Sequence, residues 1–84
     1  MKRTFHRTFK KQFKKLPEKT RVEFMRRLRM FESDPNTRIL NVHKLKGEFS
    51  MYMSMNINSD VRALFVQNSD EIIFAKIGTH SELY

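Results

Sequence analysis

The apolar residues change their period once along this chain, and few folds accommodate that change. From Phe5 they recur at Phe9, Phe13 and Leu16, with Lys10, Lys11, Lys14 and Lys15 between them, which is the spacing of one helical stripe. Pro17 disfavours helix in the residue before it and suits the first turn of a new helix, where Glu18 complements the positive end of the dipole. A second helix is predicted from there to the stop signal Ser33-Asp34-Pro35-Asn36. Its apolar stripe is Val22, Phe24, Met25, Leu28 and Phe31, and its wet side is Arg21, Arg26, Arg27 and Arg29. After a polar connection from Thr37 to Lys46, Gly47 opens a stretch of period two. Met51, Met53, Met55 and Ile57 alternate there with Tyr52, Ser54 and Asn56, the pattern of a half-buried strand. Asn58-Ser59-Asp60 and Asn68-Ser69-Asp70 read as turns on either side of a strand from Val61 to Gln67, and a last strand runs from Glu71 to Ile77, ending at Gly78.

Three strands joined by short polar turns predict an antiparallel meander, and two amphipathic helices need such an apolar face to cover. The expectation is an α+β domain with two N-terminal helices packed on a small antiparallel sheet. An initial strand around Arg3 to His6 is compatible with the pattern, but its partner lies too far along the chain to be read locally. Eighty-four residues form one domain, residues 1–84, which buries roughly 60–65% of its unfolded surface. The absence of cysteine excludes a disulfide framework, thiolate metal sites and a cysteine nucleophile. The longest apolar runs, Ala63 to Val66 and Ile72 to Ala75, fall far short of the roughly 20 residues that span a bilayer. Met1 to Lys15 has no apolar core of a secretory signal. A cytoplasmic protein without membrane association is expected.

The net charge is +8, and it is unevenly placed. Residues 1–34 hold 12 basic and 4 acidic side chains, whereas residues 35–84 hold 5 of each. That imbalance points to a polyanionic surface or an acidic protein partner. No Gly-rich phosphate loop or nucleophile elbow is present, and none of His6, His43 and His80 is spaced from another as helical metal ligands are. His80, just beyond the last strand in Gly78-Thr79-His80-Ser81, is suited to proton transfer. Taken singly, a surface imidazole that satisfies backbone is the commoner role. Arg62 likewise reads as a solvent-facing strand residue and Asp60 as a turn former, while the Met stripe reads as core or as an adaptable docking surface.

Together, the basic helix pair, His43-Lys44-Leu45-Lys46-Gly47, Tyr52, Asp60-Val61-Arg62 and Ile77-Gly78-Thr79-His80-Ser81-Glu82-Leu83-Tyr84 closely resemble the RelE/ParE superfamily of toxins from type II toxin–antitoxin systems. The terminal segment is nearest the YafQ branch. The resemblance implies a RelE-like fold and a ribosome-dependent mRNA endonuclease, an mRNA interferase that inhibits translation with neither metal nor cofactor. It further implies a cognate acidic antitoxin, with the toxin–antitoxin complex binding operator DNA, and contacts to the ribosome and mRNA. His43, Asp60 and His80 match acid/base or positioning residues of the YafQ pattern, Arg62 the phosphate-stabilising arginine of the RelE branch, Lys76 a basic position before the terminal histidine, and Tyr84 the closing aromatic. Lys10, Lys11, Lys14, Lys15, Arg26, Arg27, Lys44 and Lys46 would meet RNA.

The chain also departs from that pattern. Met53 and Met55 stand where relatives place Lys or Arg at one or both positions, Asn56 where the YafQ pattern has a histidine, Phe49 for a Trp and Val61 for another aromatic. These losses leave two alternatives open: a ParE-like inhibitor of DNA gyrase without nuclease activity, favoured by the Met-rich strand, and a catalytically weakened or merely nucleic-acid-binding homologue.

Overall fold

The computed structural model describes residues 2–84. In chain order it contains β1 (Lys2–Phe5), α1 (Arg7–Lys14), α2 (Glu18–Ser33), a 3-10 turn at Arg38–Leu40, β2 (His43–Lys44), a second 3-10 turn at Gly47–Phe49, β3 (Met53–Asn56), β4 (Val61–Gln67), β5 (Glu71–Thr79) and α3 (His80–Leu83). The five strands form one sheet in the order β1-β5-β4-β3-β2. Helices on a meander are thus observed as expected, with three corrections to detail. The sheet is mixed, because β1 runs parallel to β5, pairing Lys2 with Glu71 and Phe5 with Phe74. The connection before Gly47 contributes the edge strand β2, and a short helix follows the last strand.

Local chemistry sets the element ends. His6 caps α1 through Nδ1, which accepts from the amide of Thr8 at 3.2 Å. Pro17 is the N-cap residue of α2, one position earlier than a first-turn proline. The two Asn-Ser-Asp turns are built alike. Asn58 Oδ1 accepts from the amides of Asp60 and Val61, both at 2.8 Å, and Asn68 Oδ1 accepts from Asp70 and Glu71 at 3.1 and 2.9 Å. Each carboxamide replaces a backbone acceptor and fixes the hairpin register. Gly47 sits at φ +67°, the left-handed conformation that glycine adopts without a Cβ penalty.

The helices cover one face of the sheet, and the core there is mainly aromatic. Phe5, Phe9, Phe13, Phe24 and Phe74 have ring centroids 5.2–6.4 Å apart, and Phe74 continues through Phe65 to Phe31. On α2 the buried stripe is narrower than its sequence suggested: Phe24, Leu28 and Phe31 are buried, whereas Val22 is 61% exposed and Met25 borders solvent. The wet side is also smaller. Arg27 is only 11% exposed, binds Glu23 at 2.6 Å and donates to the carbonyl of Ile39 at 3.1 Å, so it ties α2 to the turn before β2. Arg21 turns back to the carbonyls of Leu16 and Lys14 at the end of α1. Met51 lies outside the strand and is exposed, while Met55 is fully buried. No helix among the described residues is long and apolar enough to cross a membrane.

A β-bulge sets which residues of β5 face the helices. Leu64 pairs with Lys76, yet the next residue, Phe65, pairs with Phe74, leaving Ala75 unmatched. Strand alternation therefore shifts by one, and Ile72, Phe74 and Ile77 all reach the core. Beside the bulge and beyond the end of β1, the amide of Ile77 donates to Gln12 Oε1 of α1 at 2.9 Å.

Candidate functional site

The uncovered face of the sheet brings most of the candidate residues together. By register, Asn56, Arg62 and Gly78 form one row across β3, β4 and β5, and Ser54, Leu64 and Lys76 form the next, with His43 of β2 opposite Ser54. The chain then folds back over this face at Gly78. A Cβ on Gly78 would lie 3.0 Å from Glu82 Oε1 and 3.3 Å from Glu82 Cβ, so a side chain there would have to push Glu82 back by a few tenths of an ångström, and glycine serves close approach rather than special backbone angles. Thr79 begins α3 with a capping box: its hydroxyl accepts from the amide of Glu82 at 3.3 Å, and Glu82 Oε1 accepts from the amide of Thr79 at 2.7 Å. The turn buries Leu83 and places the rings of His80 and Tyr84 4.7 Å apart, with Tyr84 edge-on to Phe49 at 4.9 Å.

Two hollows open on this face. One, of 200 Å³, is lined by His43, Leu45, Ser54, Arg62, His80 and Tyr84. The other, of 390 Å³, is lined by Ser59, Asp60, Arg62, Thr79, His80 and Ser81. Arg62 and His80 belong to both, and so divide a hollow holding His43 from a hollow holding Asp60. Lys76 occupies the same face one row away and lines neither.

The protonation of several groups follows from their contacts. His43 Nδ1 lies 2.7 Å from the carbonyl of Asn41, an oxygen that only accepts. Nδ1 therefore carries the hydrogen, and Nε2 of the neutral ring is the free basic nitrogen. Burial pushes the Tyr84 phenol above its ordinary range, partly opposed by the positive charge of Arg62, so at neutral pH it offers a hydroxyl and not a phenolate. The Glu82 carboxyl is held below the usual carboxylate range by hydrogen bonds from the backbone and then the side chain of Thr79. Three polar atoms on this face, Ser54 Oγ, Asn56 Oδ1 and Arg62 Nη1, are buried without a hydrogen-bond partner among the described residues. No group of three or more His, Asp or Glu side chains among those residues is arranged to hold a metal ion.

Strand alternation revises one inference from the sequence. Met53 packs against the helix-side core and Met55 belongs to it, so neither faces the hollows. The positions of β3 that do so by register are Ser54 and Asn56, and Met53 and Met55 offer no docking surface, whereas Met51 is exposed outside the strand. Ser54 was missed in the sequence, although the parity that buries the methionines also turns Ser54 to the other side. The basic residues divide as well. Lys10, Lys11, Lys14 and Lys15 are exposed on the helix layer, across the sheet from the hollows, whereas Lys44 and Lys46 flank His43 and Leu45. Arg26 and Arg27 are both engaged with Glu23, at the i,i+3 and i,i+4 spacings of a helix.

Similarity to known proteins agrees with this architecture. A family model described as bacterial toxin of type II toxin-antitoxin system, YafQ, matches residues 1–84. The solution structure of HP0894 from Helicobacter pylori is 26% identical and superposes with a TM-score of 0.77, covering 100% of this chain and 99% of that one. YafQ from E. coli strain BL21(DE3) is 15% identical, with a TM-score of 0.78 over 98% of this chain and 96% of that one. A chain from the E. coli DinJ-YafQ complex is 16% identical with a TM-score of 0.75, again over 98% and 96%. No curated protein sequence matches the chain.

Proposed function

The chain belongs to the YafQ family of bacterial toxins of type II toxin–antitoxin systems, and from that premise we propose that it is an mRNA interferase that cleaves mRNA on the ribosome by general acid–base catalysis. The observation that carries the reading is the position of Arg62 and His80 between two hollows. In cleavage beside a ribose 2′-OH, that oxygen attacks phosphorus, the bond to the 5′ oxygen breaks, and the products end in a cyclic phosphate and a 5′ hydroxyl. Entering and leaving oxygens lie on opposite sides of the phosphorus, so proton-transfer groups are needed on both sides and a cation in the middle. Arg62 supplies the cation. His80, next to it, is the principal acid/base, with His43 Nε2 in one hollow and Asp60 in the other serving the flanking oxygens. The neutral hydroxyl of Tyr84 is a hydrogen-bond donor beside His80.

Primer extension on a reporter mRNA in a reconstituted translation system tests this. Wild-type protein is expected to cut only when ribosomes are present, and His80→Ala to cut about 10²-fold less while remaining folded. Equal cutting by a folded His80→Ala variant removes His80 from the mechanism, and no cutting with translation unaffected overturns the nuclease reading. A gyrase-inhibitor reading has less support, because Met53 and Met55, two of the three methionines that suggested a docking strand, pack toward the core, while Met51 is exposed outside the strand.

The proposed partner is an acidic antitoxin segment, and the helix layer offers it a place. A groove of about 710 Å³ between α1 and α2 has Phe9, Phe13, Phe24 and Met25 in its wall and Lys10, Lys14 and Arg21 among its lining residues. Apolar anchors with acidic flanks match it. Reversing Lys10 and Lys14 to Glu is expected to weaken a purified cognate complex at low salt. An unchanged affinity would remove this surface from the interface.

A further inference from the structure

Ser54 is 0% exposed, and its hydroxyl has no hydrogen-bond partner among the described residues. Such an atom lowers the stability of a folded protein, and native structures retain few of them. Its neighbours on the sheet offer no relief. Leu64, opposite it on β4, is apolar, and His43, opposite it on β2, turns its Nδ1 to the carbonyl of Asn41 and makes no hydrogen bond to the serine. Ser54 instead lines the 200 Å³ hollow together with Arg62, whose Nη1 is likewise buried and unpartnered. Asn56 Oδ1, the third such atom, lines neither hollow.

From this pairing we infer that Ser54 and Arg62 form the floor of a seat for a phosphoryl oxygen, in which the serine hydroxyl and the guanidinium each donate one hydrogen bond. The guanidinium donates only and is charged, so its partner is an acceptor and is best satisfied by an anion. The hydroxyl donates to that same kind of atom. One negatively charged oxygen, with a lone pair for each, satisfies both donors. This deepens the proposed function and rests on it for the identity of the natural ligand, a phosphate of the RNA chain. Ser54 acts as a positioning residue: it fixes the rotation of the phosphoryl group against Arg62 and exchanges no proton.

Inorganic phosphate is the probe, titrated at constant ionic strength and followed by calorimetry and by the side-chain NMR resonances of Arg62. Ser54→Ala leaves net charge unchanged, so general attraction to the basic surface is the same in both proteins. The variant is expected to bind phosphate about tenfold more weakly or worse. Without phosphate its melting temperature is expected to equal or exceed that of wild type, because an orphaned hydroxyl has been removed. A variant that melts lower and binds phosphate as wild type does would overturn the seat and make the hydroxyl part of the fold. Wild-type Arg62 resonances unmoved by phosphate, or moved equally by acetate, would also overturn it, whether or not the variant folds. The titration needs neither ribosome nor cleavage. Ser54-dependent phosphate binding without mRNA cleavage therefore keeps the seat and refutes the nuclease, and cleavage with Ser54-independent binding does the reverse.

Discussion

On the side of the sheet under the helices, β3, β4 and β5 present Met55, Ala63, Phe65, Phe74 and Ile77, all buried and in contact with one another or with the aromatic rings of α1 and α2. On the other side the same three strands present Ser54, Asn56, Arg62, Lys76 and Gly78 beside the buried Leu64, and every buried side-chain nitrogen or oxygen without a hydrogen-bond partner among the described residues belongs to that face. The two faces share a backbone and differ only in strand parity. Stability is concentrated on one and unsatisfied polarity on the other, so a substitution should act on folding or on activity according to which way its residue points.

The sharpest attempt to break this division is Phe74→Ala, since that ring touches Phe5, Phe9, Phe24 and Phe65. A loss of about 3–5 kcal/mol is expected in urea unfolding, a large share of the stability of a small domain, with activity falling in step with the folded fraction. Next in size is Arg62→Gln. Loss of a charge-stabilising group in the transition state is worth about 10²–10³ in rate, and it should appear in primer extension with the unfolding midpoint preserved. A large fall in that midpoint would show that the open face also holds the fold. Gln12→Ala crosses the division, because its side chain lies among the helices but serves the bulge that orients β5. It removes the acceptor for the amide of Ile77 and is expected to cost about 1–3 kcal/mol. Hydrogen exchange at Ile77 should accelerate by more than at Ile72 on the same strand.

The smallest effect is one of pH. The Glu82 carboxyl lies below its ordinary value in the folded chain, so its contribution is complete above the unfolded carboxylate value of about 4.3 and disappears as pH falls through the lower folded value. Glu23, held low first by the Arg27 hydrogen bond and then by Arg26, follows the same sign. Acidification below about pH 4.3 should therefore release α3, seen as loss of the ring contact between His80 and Tyr84 by NMR, before the aromatic core melts. Retention of that contact down to the global unfolding pH would argue that Leu83, and not the capping box, anchors the segment.

Much of the helix-side face was legible in the sequence, because Phe9, Phe24, Leu28 and Phe31 announce themselves by spacing and the two Asn-Ser-Asp turns by composition. The open face was less so. Its histidines, Asp60 and Arg62 were found through resemblance, while Ser54 was passed over because a serine between methionines looks like the wet side of a strand. The bulge at Ala75 has no local signature, and without it alternation puts Lys76 and Gly78 on the wrong side. Arg27 illustrates the remaining limit. Its pairing with Glu23 four residues earlier follows from helical spacing, but only the approach of the turn before β2, whose Ile39 carbonyl it meets, makes it a strut.

The parallel seam between β1 and β5 has a consequence for the order in which structure forms. The hairpins joining β3, β4 and β5 close over a few residues each, whereas β1 must wait for a strand far along the chain, and closing so long a loop is entropically slow. The meander should thus organise first, with β1 and α1 docking onto β5 afterwards, and the same seam should be the first to part in the native ensemble. Amides of Arg3, Thr4 and Phe5 are then expected to exchange through a sub-global opening that leaves β3 and β4 protected. Such a partly opened molecule would retain Ser54, Arg62 and Asp60 in register while losing Gln12's hold on β5.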